Sequence, residues 1–150
     1  MGTTKKRIAL SLSVVAIVLA VLAAMYFGGY FGERSAIDYS GATQYVLYIG
    51  TNDKDTYSQI IPTEEAMAIV NEICARHVGG YTASKAAGGW VDEKGVLTQE
   101  TTLVYVITGA SEPQVLLIMN EALVALNQNA ILVEKRDVAS AFYSSGELLQ

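Results

Sequence analysis

Twenty-five consecutive residues, Ile8 to Gly32, carry no charged side chain, and they lie between a basic cluster, Lys5-Lys6-Arg7, and Glu33. At about 1.5 Å rise per residue such a run reaches roughly 37 Å as a helix, enough to cross a hydrocarbon core of about 30 Å. Residues 1–7 are then a basic cytoplasmic tip and residues 8–32 a transmembrane signal-anchor. A secretory signal peptide cut after Ala23, behind Val21-Leu22-Ala23, is the competing reading. The apolar core of a signal peptide usually spans about 7 to 15 residues, so the length favours the anchor. Both readings give one topology. Three cations flank the N-terminal side and Arg34 stands with Glu33 and Asp38 on the other, so the N-terminus is expected inside and the rest exported, as a single-pass protein of the cell membrane.

Within this run Ala16, Ala20, Ala24, Gly28 and Gly32 recur at every fourth position, a stripe of small residues along one side of a helix. In lipid, where apolar burial gains little, close backbone approach at such residues is a main route to helix association. The stripe predicts a homo-oligomer or a membrane-protein partner. Small residues are also common in membrane helices for no specific purpose.

Of the chain's 150 residues roughly 110 follow the anchor, enough for one domain with one core. Three of the 10 basic residues sit in the tip, which leaves 7 against 15 acidic ones, a net charge of −8. A nucleic-acid partner is therefore not expected. The single cysteine, Cys74, excludes an internal disulfide, so stability must come from packing.

Residues 33–43 are short, polar and aperiodic, as a linker should be, and a domain is expected over residues 44–143 with a polar tail at 144–150. Tyr45, Leu47 and Ile49 alternate with Val46, Tyr48 and Gly50, which reads as a central strand apolar on both faces. Thr63-Glu64-Glu65 opens a helix that carries Ala66, Ile69, Val70, Ile73, Cys74 and His77 on one side until Gly79-Gly80 stops it. Tyr81 to Trp90 and the run ending Thr101 to Ile107 form a hairpin about the turn Asp92-Glu93-Lys94-Gly95. Ser111-Glu112-Pro113-Gln114 is a capping box with Pro in the first turn of a second helix, Val115 to Leu126. Ala130 to Val133, resuming over Val138 to Tyr143, supplies the last strand. The order is β-α-β-β-α-β, so the fold class is α+β: a ferredoxin-like antiparallel sheet with two helices on one face. Its other face needs a cover, and a sheet-to-sheet dimer is the simplest one.

Chemistry is sparse. Cys74 and His77 share a helix face, yet a Cys there is ordinarily a small buried hydrophobe, and a His before Gly-Gly suits a last helical turn. The loop from Asp53 to Glu64 imitates a calcium loop in length only, because Tyr57 and Ser58 fall where a ligand and a glycine are needed. The best-placed ligand or interface residues are Tyr48, Tyr81, Gly88, Gly89, Trp90 and Tyr105, with Lys85 and Glu100 as nearby charges. Gly88-Gly89 suggests a bulge or a close backbone approach, while ordinary sheet packing explains the same residues without a ligand. No catalytic residue, metal or cofactor is assigned.

Tyr48-Ile49-Gly50-Thr51, Glu64-Glu65, Gly80-Tyr81-Thr82, Gly88-Gly89-Trp90 with the turn ending at Gly95, Glu100 before Leu103-Val104, and Leu126-Asn127-Gln128 before Ala130 together resemble an uncharacterised bacterial family, domain of unknown function 3574, over about residues 44–143. The resemblance implies an exported or membrane-linked α+β protein and carries no reaction. The leading expectation is a non-catalytic, membrane-tethered extracytoplasmic module that binds a protein partner or a small ligand, as an oligomer. The alternative is a small cofactor-independent enzyme similar to the dimeric ferredoxin-like monooxygenases. An enclosed pocket of about 300 Å³ or more, with Tyr48, Trp90, Tyr105 and Glu100 converging on it, would mark the enzyme, and a filled core with an exposed apolar sheet the binding module.

Overall fold

A computed structural model describes residues 17–25, 37–91, 95–144 and 147–149. The elements run α1 (residues 17–25), β1 (Ser40–Gly50), α2 (Thr63–His77), β2 (Thr82–Val91), β3 (Leu97–Thr108), α3 (Glu112–Ala125), β4 (Leu132–Ser140), β5 (Phe142–Ser144) and β6 (Glu147–Leu149). Residues 1–38 and 39–150 make two separate compact units.

In the first unit α1 exposes Ile17, Val18, Leu19, Val21, Leu22 and Met25. Ala20 and Ala24 of the small-residue stripe are on this helix and exposed. Ala16, Gly28 and Gly32, the basic tip and the remainder of the expected span 8–32 lie outside the described residues. Among the described residues no helix is long and apolar enough to cross a membrane.

The second unit is α+β. Its four long strands form one antiparallel sheet in the order β2-β3-β1-β4. Each helix thus links two strands that have a third inserted between them, an arrangement compatible with the split β-α-β class. Side chains alternate across a strand, so pairing in register sorts them by face. Leu47 stands opposite Tyr105 and Ile49 opposite Leu103, and all four are fully buried beneath the helices. Ala66, Val70, Ile73 and Cys74 of α2 and Val115, Ile118 and Ala122 of α3 close this core. At about 25 cal/mol per Å² such burial is the main stabilising contribution of the unit.

The start of α3 follows its sequence signal. Ser111 N–H and Ser111 Oγ–H both donate to Gln114 Oε1, at 2.9 and 2.7 Å, and Pro113 occupies the first turn, where no amide hydrogen is needed. Gln114 Nε2 donates in turn to the carbonyl of His77 at 2.6 Å, joining the beginning of α3 to the end of α2.

Three boundaries differ from the sequence expectations. β1 begins at Ser40, four residues before Gln44, because residues 40–43 pair with residues 137–140 although their own composition is that of a linker. β4 is continuous through Glu134-Lys135-Arg136-Asp137, where sequence reading saw a gap; an edge strand exposed to water tolerates four charges in succession. The tail also holds the small β5-β6 hairpin.

Candidate functional site

The helix-free face of the sheet displays Tyr48 and Gly50 on β1, Gly88 and Trp90 on β2, Thr98, Glu100 and Thr102 on β3, and Leu132 on β4. Two glycines make the room. A Cβ on Gly50 would stand 2.5 Å from Glu100 Oε2, and one on Gly88 would stand 2.0 Å from Thr102 Oγ1. The Glu100 carboxylate therefore lies directly over the end of β1. There the N–H groups of Thr51 and Asn52 both donate to Oε2, each at 3.0 Å. Two consecutive amides aimed at one oxygen hold the carboxylate in place, and Oε1 has no hydrogen-bond partner among the described residues.

The loop after β1 walls one end of this floor. Asp53 Oδ1 accepts the N–H of Asp55 (2.9 Å) and of Thr56 (3.0 Å), a turn closed by Tyr57 at φ 55°. Asn127, left-handed at φ 49°, donates through Nδ2 to Asp53 Oδ2 (2.7 Å) and Asp55 Oδ2 (2.8 Å). Lys54 N–H donates to the Asn127 carbonyl at 3.0 Å, and Gln128 Nε2 to the Asn52 carbonyl at 2.7 Å. Asn127 first, and the Asp55 amide next, hold the Asp53 carboxyl below its ordinary value. Two loops distant in sequence are thereby fastened into one rim.

Together the floor and rim enclose a cleft of about 740 Å³, with Tyr48, Tyr57, Trp90, Lys54, Glu100 and Leu132 among its walls. The rings of Tyr57 and Trp90 stand 6.3 Å apart, tilted by 43°. Aromatic faces and the Glu100 and Asp53 carboxylates suit a flat ligand that carries positive charge, and Lys54 suits a negative group on the same ligand.

Of the residues singled out from sequence, Tyr48, Gly88, Gly89, Trp90 and Glu100 line the cleft, and Tyr81, Lys85 and Tyr105 do not. The reason is register. Tyr105 points under the helices, donates its hydroxyl to Asn71 Oδ1 (2.8 Å) and the Met67 carbonyl (3.2 Å), and packs on Tyr81 at 5.6 Å. Burial pushes its phenol above the ordinary range. Lys85 pairs with Glu64 of α2 at 2.5 Å. The Gly88-Gly89 bulge does not occur, since β2 and β3 pair without interruption from Thr82 to Val91; the close approach does. Asn52, Lys54, Tyr57 and Gln128 were missed, because their loops meet only in the folded chain.

Elsewhere, Cys74 is fully buried and burial pushes its thiol up to about 11, while His77 Nε2 lies 2.6 Å from Glu121 Oε1, so the two share a helix without acting on each other. Among the described residues no three His, Cys, Asp or Glu side chains are grouped to hold a metal ion.

No protein-family model matches the chain, and neither does any curated protein. Solved structures do. A phage SAM lyase in complex with S-methyl-5'-thioadenosine shares 14% identity over 74% of this chain and 100% of its own, with a TM-score of 0.52. A phage SAM lyase in its apo state shares 18% over 69% and 94%, with a TM-score of 0.50. At these identities the likeness shows the fold alone.

Proposed function

We propose that the cleft on the helix-free face binds S-adenosylmethionine and that the protein cleaves it to S-methyl-5'-thioadenosine. The observation that carries this reading is the Glu100 carboxylate, fixed by two backbone amides beneath aromatic walls with one oxygen still available. A sulfonium cation gains from a carboxylate and from ring faces, and an adenine gains by stacking on them. The cleft volume is within the usual range of small-molecule sites, and Tyr48, Trp90 and Glu100 converge on it although Tyr105 does not; the fold is shared with proteins named as SAM lyases. In the proposed reaction the bond from sulfur to the four-carbon chain breaks and its electron pair stays on sulfur. The carbon beside the one that sulfur leaves gives up a proton and its C–H electron pair forms a C=C bond, so S-methyl-5'-thioadenosine, an unsaturated four-carbon amino acid and one proton leave, which balances atoms and charge. The ferredoxin-like class and residues 8–32 as a membrane tether belong to the same proposal. The exposed apolar side chains of α1 support the tether. The resemblance to domain of unknown function 3574 brings no reaction and leaves this reading unchanged.

Incubating the full chain in detergent with S-adenosylmethionine, and following products by mass spectrometry, tests the activity. S-methyl-5'-thioadenosine should accumulate, and Glu100→Gln should reduce its rate by about tenfold or more while the fold persists. The absence of both binding and product would sink the reading. The side of the membrane matters as well: the basic tip argues for an exported domain, whereas S-adenosylmethionine is an intracellular metabolite. A reporter fused behind Gln150 that is active only outside the cell would remove this substrate.

A further inference from the structure

An edge strand presents a row of unpaired amides and carbonyls, and proteins blunt such rows with charges, proline, bulges or a cover. The two edges of this sheet are treated differently. β4 carries Glu134, Lys135, Arg136 and Asp137 in succession. β2, reading Thr-Ala-Ser-Lys-Ala-Ala-Gly-Gly-Trp-Val, has one charge, no proline and no bulge over ten continuous pairs with β3. That one charge is drawn back over α2, where Lys85 Nζ meets Glu64 Oε1 at 2.5 Å. No backbone group of β2 hydrogen-bonds beyond the β3 ladder among the described residues.

We propose that the β2 edge pairs antiparallel with β2 of a second copy of this chain, making one continuous eight-stranded sheet about a two-fold axis. The geometry fixes the register to two choices. Opposed residues in an antiparallel pair point to the same face, and the two-fold axis keeps both helix layers on one side. Even-numbered residues must therefore oppose even-numbered ones, so the axis passes through a residue, and the longest overlap of two ten-residue strands puts it on Ala86 or Ala87. In both registers small residues meet near the axis, with Lys85 opposite Ala87 or Gly89 of the other copy, so no like charges oppose one another. The site gains from this pairing. Residues 86–90 form the β2 side of the cleft, and the partner's Ser84 falls opposite Trp90 when the axis is on Ala87 and opposite Gly88 when it is on Ala86. A hydroxyl from the second copy thus extends the cleft floor. The occupant is a second copy rather than an unrelated peptide because, in either register, small residues meet small residues at the axis and the one charge of each strand faces no like charge. The proposal holds for any ligand of the cleft and does not rest on the lyase reading.

The test uses full-length protein in detergent with single cysteines at Ala86, Ala87 and Val91, against the native chain whose Cys74 is buried. Mild oxidation should link copies through Ala86→Cys or Ala87→Cys, the position on the axis, and not through Val91→Cys, which is exposed but far from its own copy. Equal linking at all three positions, or none at either axial position, overturns the proposal. So does a monomeric mass of the native chain by light scattering. As a second variant, Ala87→Lys places two charges beside the axis and should halve the particle mass with the circular dichroism unchanged; a mass that stays double would show that another surface joins the copies.

Discussion

Glu100 reaches the Thr51 and Asn52 amides because a neighbour across the sheet, Gly50, has no side chain. Gly50 leaves space for the carboxylate, and Gly88 leaves space for Thr102, whose hydroxyl fills the place a Cβ would take. Neither glycine is needed for a positive φ; both are needed for proximity. Gly88→Ala should cost about 1–3 kcal/mol by crowding Thr102. Urea denaturation of the single variant and of its combination with Thr102→Ala checks this, and the second change should recover most of the loss. A destabilisation that persists without the Thr102 hydroxyl would place the strain elsewhere. From sequence the glycine pair was visible as a signal, but its meaning was not, because what a missing Cβ makes room for is a matter of which strand lies alongside.

At the level of elements, α3 is defined by local chemistry and β4 is not. The two hydrogen bonds from Ser111 to Gln114 Oε1 sit within four residues, so the helix start was legible from sequence. Ser111→Ala should lower stability by about 1 kcal/mol, measured as a shift of the denaturation midpoint with an unchanged slope. An unchanged midpoint would mean that the Gln114 contact with His77 alone secures this end. β4 carries four consecutive charges that no alternation rule reads as strand, and it forms because β1 offers a ladder from Ser40 to Tyr48. The same ladder draws residues 40–43 into β1. Propensity yields to pairing at both places.

Across the whole domain the helix layer is fastened on its outer side by one acidic residue. Arg76 first, and His77 next, hold the Glu121 carboxyl below its ordinary value of 4.5. The native state therefore binds fewer protons there than the unfolded chain, so the contribution is complete above about pH 4.5 and fades as pH falls through the lower native value. The stability difference between the native chain and Glu121→Gln should be greatest near neutrality and close in acid. Thermal denaturation across that range measures it, and a difference independent of pH would remove the Arg76 and His77 contacts as its cause.

What the sequence determined by itself was whatever depends on neighbours along the chain: the order of strands and helices in the domain, the capping box and the apolar stripe of α2. These follow from periodicity, local hydrogen bonds and hydropathy, each confined to a few turns of chain. Only the tertiary structure decided the site. Tyr105 and Glu100 lie five residues apart on one strand, and this odd spacing sends one under the helices and the other into the cleft. Asn127 meets Asp53 across 74 residues because the β1-α2 loop and the α3-β4 turn arrive at the same end of the sheet. Spacing along the chain cannot specify that meeting; strand order and register do.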